Sequence, residues 1–125
     1  MNRTQVSSGY LLESSHGNAR SVRVGREVFV SGTTARPPDL DGDVDVQLRA
    51  AIAIAAAALR DAGTDLRHVV RTVVCAKDLA QIASIARAHL ESFGEIRPAS
   101  TVVQVAALTP ASALVGIEMT AVVHD

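Results

Sequence analysis

The chain has 125 residues with 12 Lys and Arg against 13 Asp and Glu, a formal net charge of -1, and is 48% hydrophobic with only Tyr10, Phe29 and Phe93 as aromatic residues. So balanced a surface builds no field to gather a polyanion, and so few rings offer no stacking platform, which argues against nucleic acid as a partner. A chain of this length fits one domain, 1–125; the lone Cys75 closes no internal disulfide; and the polar stretch from Met1 to Leu12 is neither a signal peptide nor a membrane span, so a reducing, cytoplasmic setting without membrane contact is expected.

The predicted elements begin with a hairpin. Ser21 to Val24 and Glu27 to Ser31 flank Gly25-Arg26, and glycine at the first turn position suits a type II′ turn. Arg36 to Gly42 holds the Pro37-Pro38 pair and reads as a loop. A helix then starts near Asp43 or Asp45, whose carboxylates can accept from free first-turn amides. Leu48, Ile52, Ala55, Leu59 and Ala62 mark its buried stripe, and Gly63 stops it. Ala50, Ala53 and Ala57 on the other side either admit a second surface closely or only reflect helix propensity.

Val69 to Ala76 is a β-branched run suited to a strand buried on both faces. Asp78 caps a second helix, with Gln81 three residues on as in a capping box, and Leu79, Ile82, Ala86, Leu90 and Phe93 as its inward stripe before Gly94. Thr101 to Leu108 and Leu114 to Val123 read as a closing hairpin around Thr109 to Ser112. The order strand, strand, helix, strand, helix, strand, strand predicts an α+β fold: one mixed sheet with both helices on one face. The uncovered face, with this much apolar content, predicts a homo-oligomer.

Glu118 is the leading candidate for chemistry. Val115, Ile117, Met119, Ala121 and Val123 face one way along the last strand, leaving Glu118 on the other side with Gly116, Thr120 and Val122. Desolvation there would raise its pKa and suit it to relay a proton from water; the alternative is a solvated or interface carboxylate paired with an arginine. Ser31-Gly32-Thr33 ends a strand, where Gly32 lets backbone amides approach a ligand or simply makes a turn. Ser100 and Thr101 open the next strand, as ligand-binding hydroxyls or strand-end caps. Cys75 reads as a buried small hydrophobe. Histidines 16, 68, 89 and 124 lack metal-ligand spacing, so no metal and no cofactor are expected.

Several pieces occur together at consistent spacing: Arg23-Val24-Gly25 leading to Val28-Phe29-Val30-Ser31-Gly32; Ala62-Gly63 with Leu66 and Val69-Val70-Arg71-Thr72; then Lys77-Asp78-Leu79, Phe93, Pro98-Ala99 and Ile117-Glu118. Over residues 18 to 123 this layout resembles the RidA/YjgF/YER057c/UK114 (Rid) superfamily of enamine and imine deaminases, with 1–17 poorly matched. The resemblance implies a chorismate mutase-like (YjgF-like) fold and a homotrimer whose sheets form a central barrel with small-molecule clefts between subunits. It also implies that Glu118 orients the attacking water and that Ser31 and the Gly32 amide line the pocket. Ser100 stands where deaminating members carry an arginine that clamps the substrate carboxylate, Asn18 where many carry a tyrosine, and Ala86 where they carry an asparagine. Ser100, Thr101 and Asn18 are thus pocket candidates, and Arg36, Arg87 and Arg97 are candidate replacement cations. The expected activity is hydrolysis of a small enamine or imine by an arginine-less subgroup. The alternatives are a non-catalytic ligand-binding or chaperone-like trimer and a hydrolase for an amide or carbamate.

Overall fold

The computed structural model describes residues 2–125. Six strands form one mixed sheet: β1 (Arg3–Val6), β2 (Ser21–Val24), β3 (Glu27–Thr33), β4 (Val69–Ala76), β5 (Ala99–Gln104) and β6 (Val115–Val122), in the spatial order β1-β2-β3-β6-β4-β5. Two long helices, α2 (Val44–Asp61) and α3 (Ile82–Phe93), pack on one face, and a short α1 (Leu11–His16) follows β1.

The opening hairpin forms as predicted, with Gly25 supplying the positive φ of 60° its turn requires. Asp43 is the N-cap of α2, accepting from the Val46 amide, and the predicted stripe Leu48, Ile52, Ala55, Leu59 and Ala62 is buried against the sheet. The end of α2 is tied to the first hairpin: the Ser21 hydroxyl donates to the Ala58 carbonyl and the Arg23 guanidinium to that of Ala62. Gly63 follows at φ 86°. A β-carbon there is strained, so Gly63→Ala is expected to cost about 1 kcal/mol; an unchanged denaturant midpoint would show that the backbone relaxes at no cost.

The closing hairpin does not form. β5 pairs parallel with β4, and β6 pairs antiparallel with β4 on its other edge and with β3 beyond. β4 offers two edges: α3 carries the chain back to one, and the segment after β5 passes the end of β4 to reach the other. β5 stops at Gln104 because the Val105 amide takes the carbonyl of Ala76, the last residue of β4.

The second helix also starts later than predicted. Asp78 caps a 3-10 turn, Leu79–Gln81, and α3 begins at Ile82; Gln81 makes no side-chain cap, and the Leu79 amide donates to Gln104 Oε1 instead. The turn shifts the helical phase. Ile85, Ala88 and Phe93 face the core, while Leu79, Ile82 and Leu90, placed inward by the sequence pattern, are exposed, Leu90 at 66%.

Of β4, only the side facing the helices (Thr72, Val74, Ala76) is buried; Arg71, Val73 and Cys75 lie on the opposite face and retain solvent contact. That open face also carries Phe29, 45% exposed, and Val103.

Candidate functional site

Side chains of successive strand residues point to opposite faces, and this separates the predicted site residues. Thr72 pairs with Ser100 and Val73 with Thr101 in the parallel β4–β5 ladder. Ser100 therefore looks toward α3, whereas Thr101 looks out from the open face with Glu118, the cross-strand partner of Val73.

On the helix side, α3 and β5 enclose a cleft of about 520 Å³, walled by Ile85, Leu90, Phe93, Val74 and Val102. Two of its polar residues, Ser100 and His89, are joined behind the wall through Thr72. The fully buried Thr72 donates from Oγ1 to Ser100 Oγ over 2.8 Å, and the same oxygen lies 2.9 Å from His89 Nε2. The His89 ring tilts against Phe93 with centroids 4.6 Å apart, and burial lowers the pKa of His89, favouring the neutral imidazole. Arg97, held at a left-handed φ of 56°, is the one Lys or Arg among the described residues that lines the cleft. Ala86 lines it too.

On the open face, Glu118 shares a depression of about 230 Å³ with Arg71, Phe29, Val73 and Thr120. The carboxylate is exposed in the chain and has a cation for company, so the sequence picture of an acid among small or apolar neighbours is incomplete. Arg71 Nη2 donates to Thr101 Oγ1 at 3.0 Å, linking the two predicted residues on this face. Burial, with a smaller contribution from the Glu118 charge, pushes the Cys75 thiol up, which keeps it protonated and unreactive.

Asn18 and Ser31 line a third hollow, of about 430 Å³, with Arg3, Gln5 and Val22. The Ser31 hydroxyl donates to the Ala19 carbonyl at 2.7 Å, and the Gly32 carbonyl accepts from Arg20 Nη1 at 2.7 Å. Ser31 and Gly32 fall within a register shift between β3 and β6, which turns this strand end toward the N-terminal segment. Arg36 lies over the Tyr10 ring at 3.6 Å and Arg87 donates to Ser84, so neither reaches Ser100 or Glu118.

Within one chain the predicted residues thus form three groups: Ser100 in the α3–β5 cleft, Glu118 with Thr101 through Arg71, and Asn18 with Ser31. Sequence reasoning missed Thr72 and His89. No local motif marks them, and they meet Ser100 only through the parallel pairing of strands 28 residues apart. It also passed over Arg71, although alternation along its strand puts it on the Glu118 face. Among the described residues no three His, Cys, Asp or Glu side chains are grouped to hold a metal ion, and no helix is long and apolar enough to cross a membrane.

A mixed sheet with two helices on one face and hollows at its edge and open side defines the YjgF-like α+β class. The family model described as Endoribonuclease L-PSP matches residues 12–123. The chain belongs to this family, also known as YjgF/YER057c/UK114 or RidA. It is similar to the crystal structure of Rv2704 from Mycobacterium tuberculosis, a YjgF/YER057c/UK114 member, with TM-score 0.92 and 40% identity, covering 98% of this chain and 100% of that one. A RutC family protein of Pyrococcus abyssi is 33% identical over 104 residues, 80% of this chain and 81% of that protein. Escherichia coli TdcF, solved with bound serine, superposes with TM-score 0.77 at 27% identity over 85% of this chain and 87% of its own.

Proposed function

We propose that this single-domain chain forms a cytoplasmic homotrimer that takes up a small reactive enamine, imine or related metabolite in pockets closed by neighbouring subunits and hydrolyses it by adding water. The observation that carries the reading is the lining of the α3–β5 cleft, where the Ser100 hydroxyl, backed by the buried Thr72, stands between apolar walls and Arg97 is the one Lys or Arg among the described residues. An arginine at position 100 would clamp a carboxylate through paired charge-assisted bonds; a hydroxyl favours an uncharged polar group instead. The serine bound to TdcF supports a ligand of small-metabolite size. Glu118 faces away from the Ser100 of its own chain, so in this reading it steers water from the side where the subunits' open faces meet, with Arg71 and Thr101 beside it. Asn18, Ser31 and Gly32 add contacts from the strand end. Nucleic acid has no place in it, given the net charge of -1.

The test offers freshly generated neutral imines and 2-imino acids to the wild type, Glu118→Gln and Ser100→Arg. Wild type is expected to favour the neutral imines, and Ser100→Arg to shift the preference toward 2-imino acids by about tenfold or more, the worth of one charge-assisted contact. Equal hydrolysis by wild type and Glu118→Gln would remove Glu118 from the mechanism. A second reading, ligand binding without chemistry, is favoured by one observation: among the described residues no carboxylate lines the α3–β5 cleft. Thermal stabilisation by neutral imines or stable ketone analogues without turnover would establish it.

A further inference from the structure

Ser100, Thr72 and His89 form one hydrogen-bonded line whose outer end, Ser100, opens into the cleft. Thr72 has a single hydroxyl proton: given to Ser100 it leaves Thr72 to accept from His89, and given to His89 it leaves Thr72 to accept from Ser100. The first arrangement puts the proton of the neutral imidazole on Nε2. In it Ser100 accepts from Thr72, which leaves its own proton free, and its side chain is exposed in the cleft. With Thr72 fully buried, each bond in the chain polarises the next.

We infer that Ser100 is the proton-donating residue of the α3–β5 cleft, with Thr72 and His89 as the positioning residues behind it, and that the group it protonates is the nitrogen of an uncharged imine. This rests on the hydrolytic reading above and names its substrate class. In the protonated state His89 passes its Nε2 proton to Thr72, Thr72 passes its own to Ser100, and the Ser100 proton bonds to the imine nitrogen. Water adds to the carbon of the resulting iminium, and one of its protons moves to nitrogen. The C–N bond then breaks, releasing the amine and a carbonyl, and the borrowed proton returns to His89. One water is consumed and no oxidant or reductant is needed.

The expected pH dependence follows from the cleft's contents. Burial moves His89 below its ordinary 6.5, so turnover of neutral imines by the wild type rises as pH falls through a value under that figure. The charged groups around the ring are few. Arg97 lines the same cleft from the loop before β5; on α3 itself, Arg87 is engaged with Ser84, and Glu91 with Arg49 of α2. The cleft residues of β4 and β5, Val74, Ser100 and Val102, are uncharged.

Two measurements decide the matter. In the first, pH–rate profiles on a neutral imine are compared for wild type, His89→Gln, Thr72→Val and Thr72→Ser. His89→Gln and Thr72→Val are expected to lose about 10²-fold and the acid-side rise, the usual worth of a positioned proton donor. Thr72→Ser, which keeps the hydroxyl, is expected to stay within a few-fold of wild type; this rescue separates a relay from mere packing at position 72. A wild-type profile in His89→Gln would overturn the inference and leave the hydrolytic reading standing. In the second, the ring nitrogens of His89 are observed by ¹⁵N NMR in the unliganded protein. The Nε2–H tautomer is expected, and Nδ1–H would overturn the relay. Should wild type turn over no imine at all, the hydrolytic reading and the protonation step fall together, whereas the tautomer still reports on the hydrogen-bond line alone.

Discussion

Glu13→Ala is expected to lower stability by about 3–5 kcal/mol, the cost of leaving one partner of a buried ion pair alone. The side chains of Glu13 and Arg20 are each only 4% exposed and meet at 3.0 Å. Glu13 also accepts from Ser7 and from the backbone and hydroxyl of Ser8, while Arg20 donates to the Gly32 carbonyl and Thr33 Oγ1. Removing the carboxylate strands a guanidinium and three donors together. A paired change, Glu13→Leu with Arg20→Met, is expected to regain part of the loss, since apolar replacement of both partners avoids the unpaired charge. The pH sign is fixed by the direction of the Glu13 shift. Burial pushes its pKa up, but hydrogen bonds from Ser8 and Arg20, then Ser7, outweigh burial and hold it below its ordinary 4.5. The folded state therefore binds this proton less tightly than the unfolded state. Its contribution is fully present above about 4.5 and is lost as pH falls through the lower folded value. Chemical denaturation of wild type and variant across pH 3–7 checks both claims. Equal midpoints at pH 7 would refute the first, and an undiminished acid slope in the variant would refute the second. Hydrogen exchange at β1, α1 and β3 would show whether the loss is confined to the segment the pair holds.

That segment is also where reading the sequence failed, for a physical reason. Arg3 to His16 has neither a long apolar period nor a strong cap; β1 is an exposed edge strand, and α1 has six residues and one buried side chain, the charged Glu13. What holds it is a polar network spanning residues 7 to 33, and hydrophobic periodicity carries no signal for such a network. Where apolar burial decides, the reading was good for α2, whose predicted stripe is the buried one, and Gly25 makes its turn; β4, read as buried on both faces, is buried on the helix side alone because no element of the chain covers the other. The misplaced stripe of α3 has a narrower cause. Its apolar residues fit two neighbouring helical faces, and the 3-10 turn at Leu79–Gln81 chooses between them. The supposed final hairpin shows the limit of adjacency in sequence as a guide to pairing, because the inner edge of β4 is filled by the last strand of the chain. For the site, alternation along a strand fixes which side chains share a face, so the separation of Ser100 from Glu118 follows once β4, β5 and β6 are placed side by side in register. Thr72 and His89 needed that placement before they could be connected to anything.

Gln47→Leu is expected to cost about 3 kcal/mol or more, although leucine nearly matches glutamine in volume. Gln47 is fully buried on the first turn of α2. Its amide nitrogen lies within hydrogen-bond reach of the carbonyls of Leu40, Gly42 and Ser112, at 3.0, 3.2 and 3.3 Å, and its oxygen accepts the Leu114 amide at 2.8 Å. One side chain thus satisfies backbone groups from two loops more than 60 residues apart in sequence. Each group left unpaired in the interior costs about 1–3 kcal/mol, and water reaching the loop side recovers some of that. A loss of this size corresponds to a fall in Tm of roughly 10 °C for a chain of this length. The consequence reaches the open face, because Leu114 is the last residue before β6 and its amide is pinned where the strand carrying Glu118 enters the sheet. Should the variant melt within a degree or two of wild type, the interior must admit water at these loops. Should it melt early while β6 keeps its hydrogen-exchange protection, the two loops are anchored by something other than Gln47.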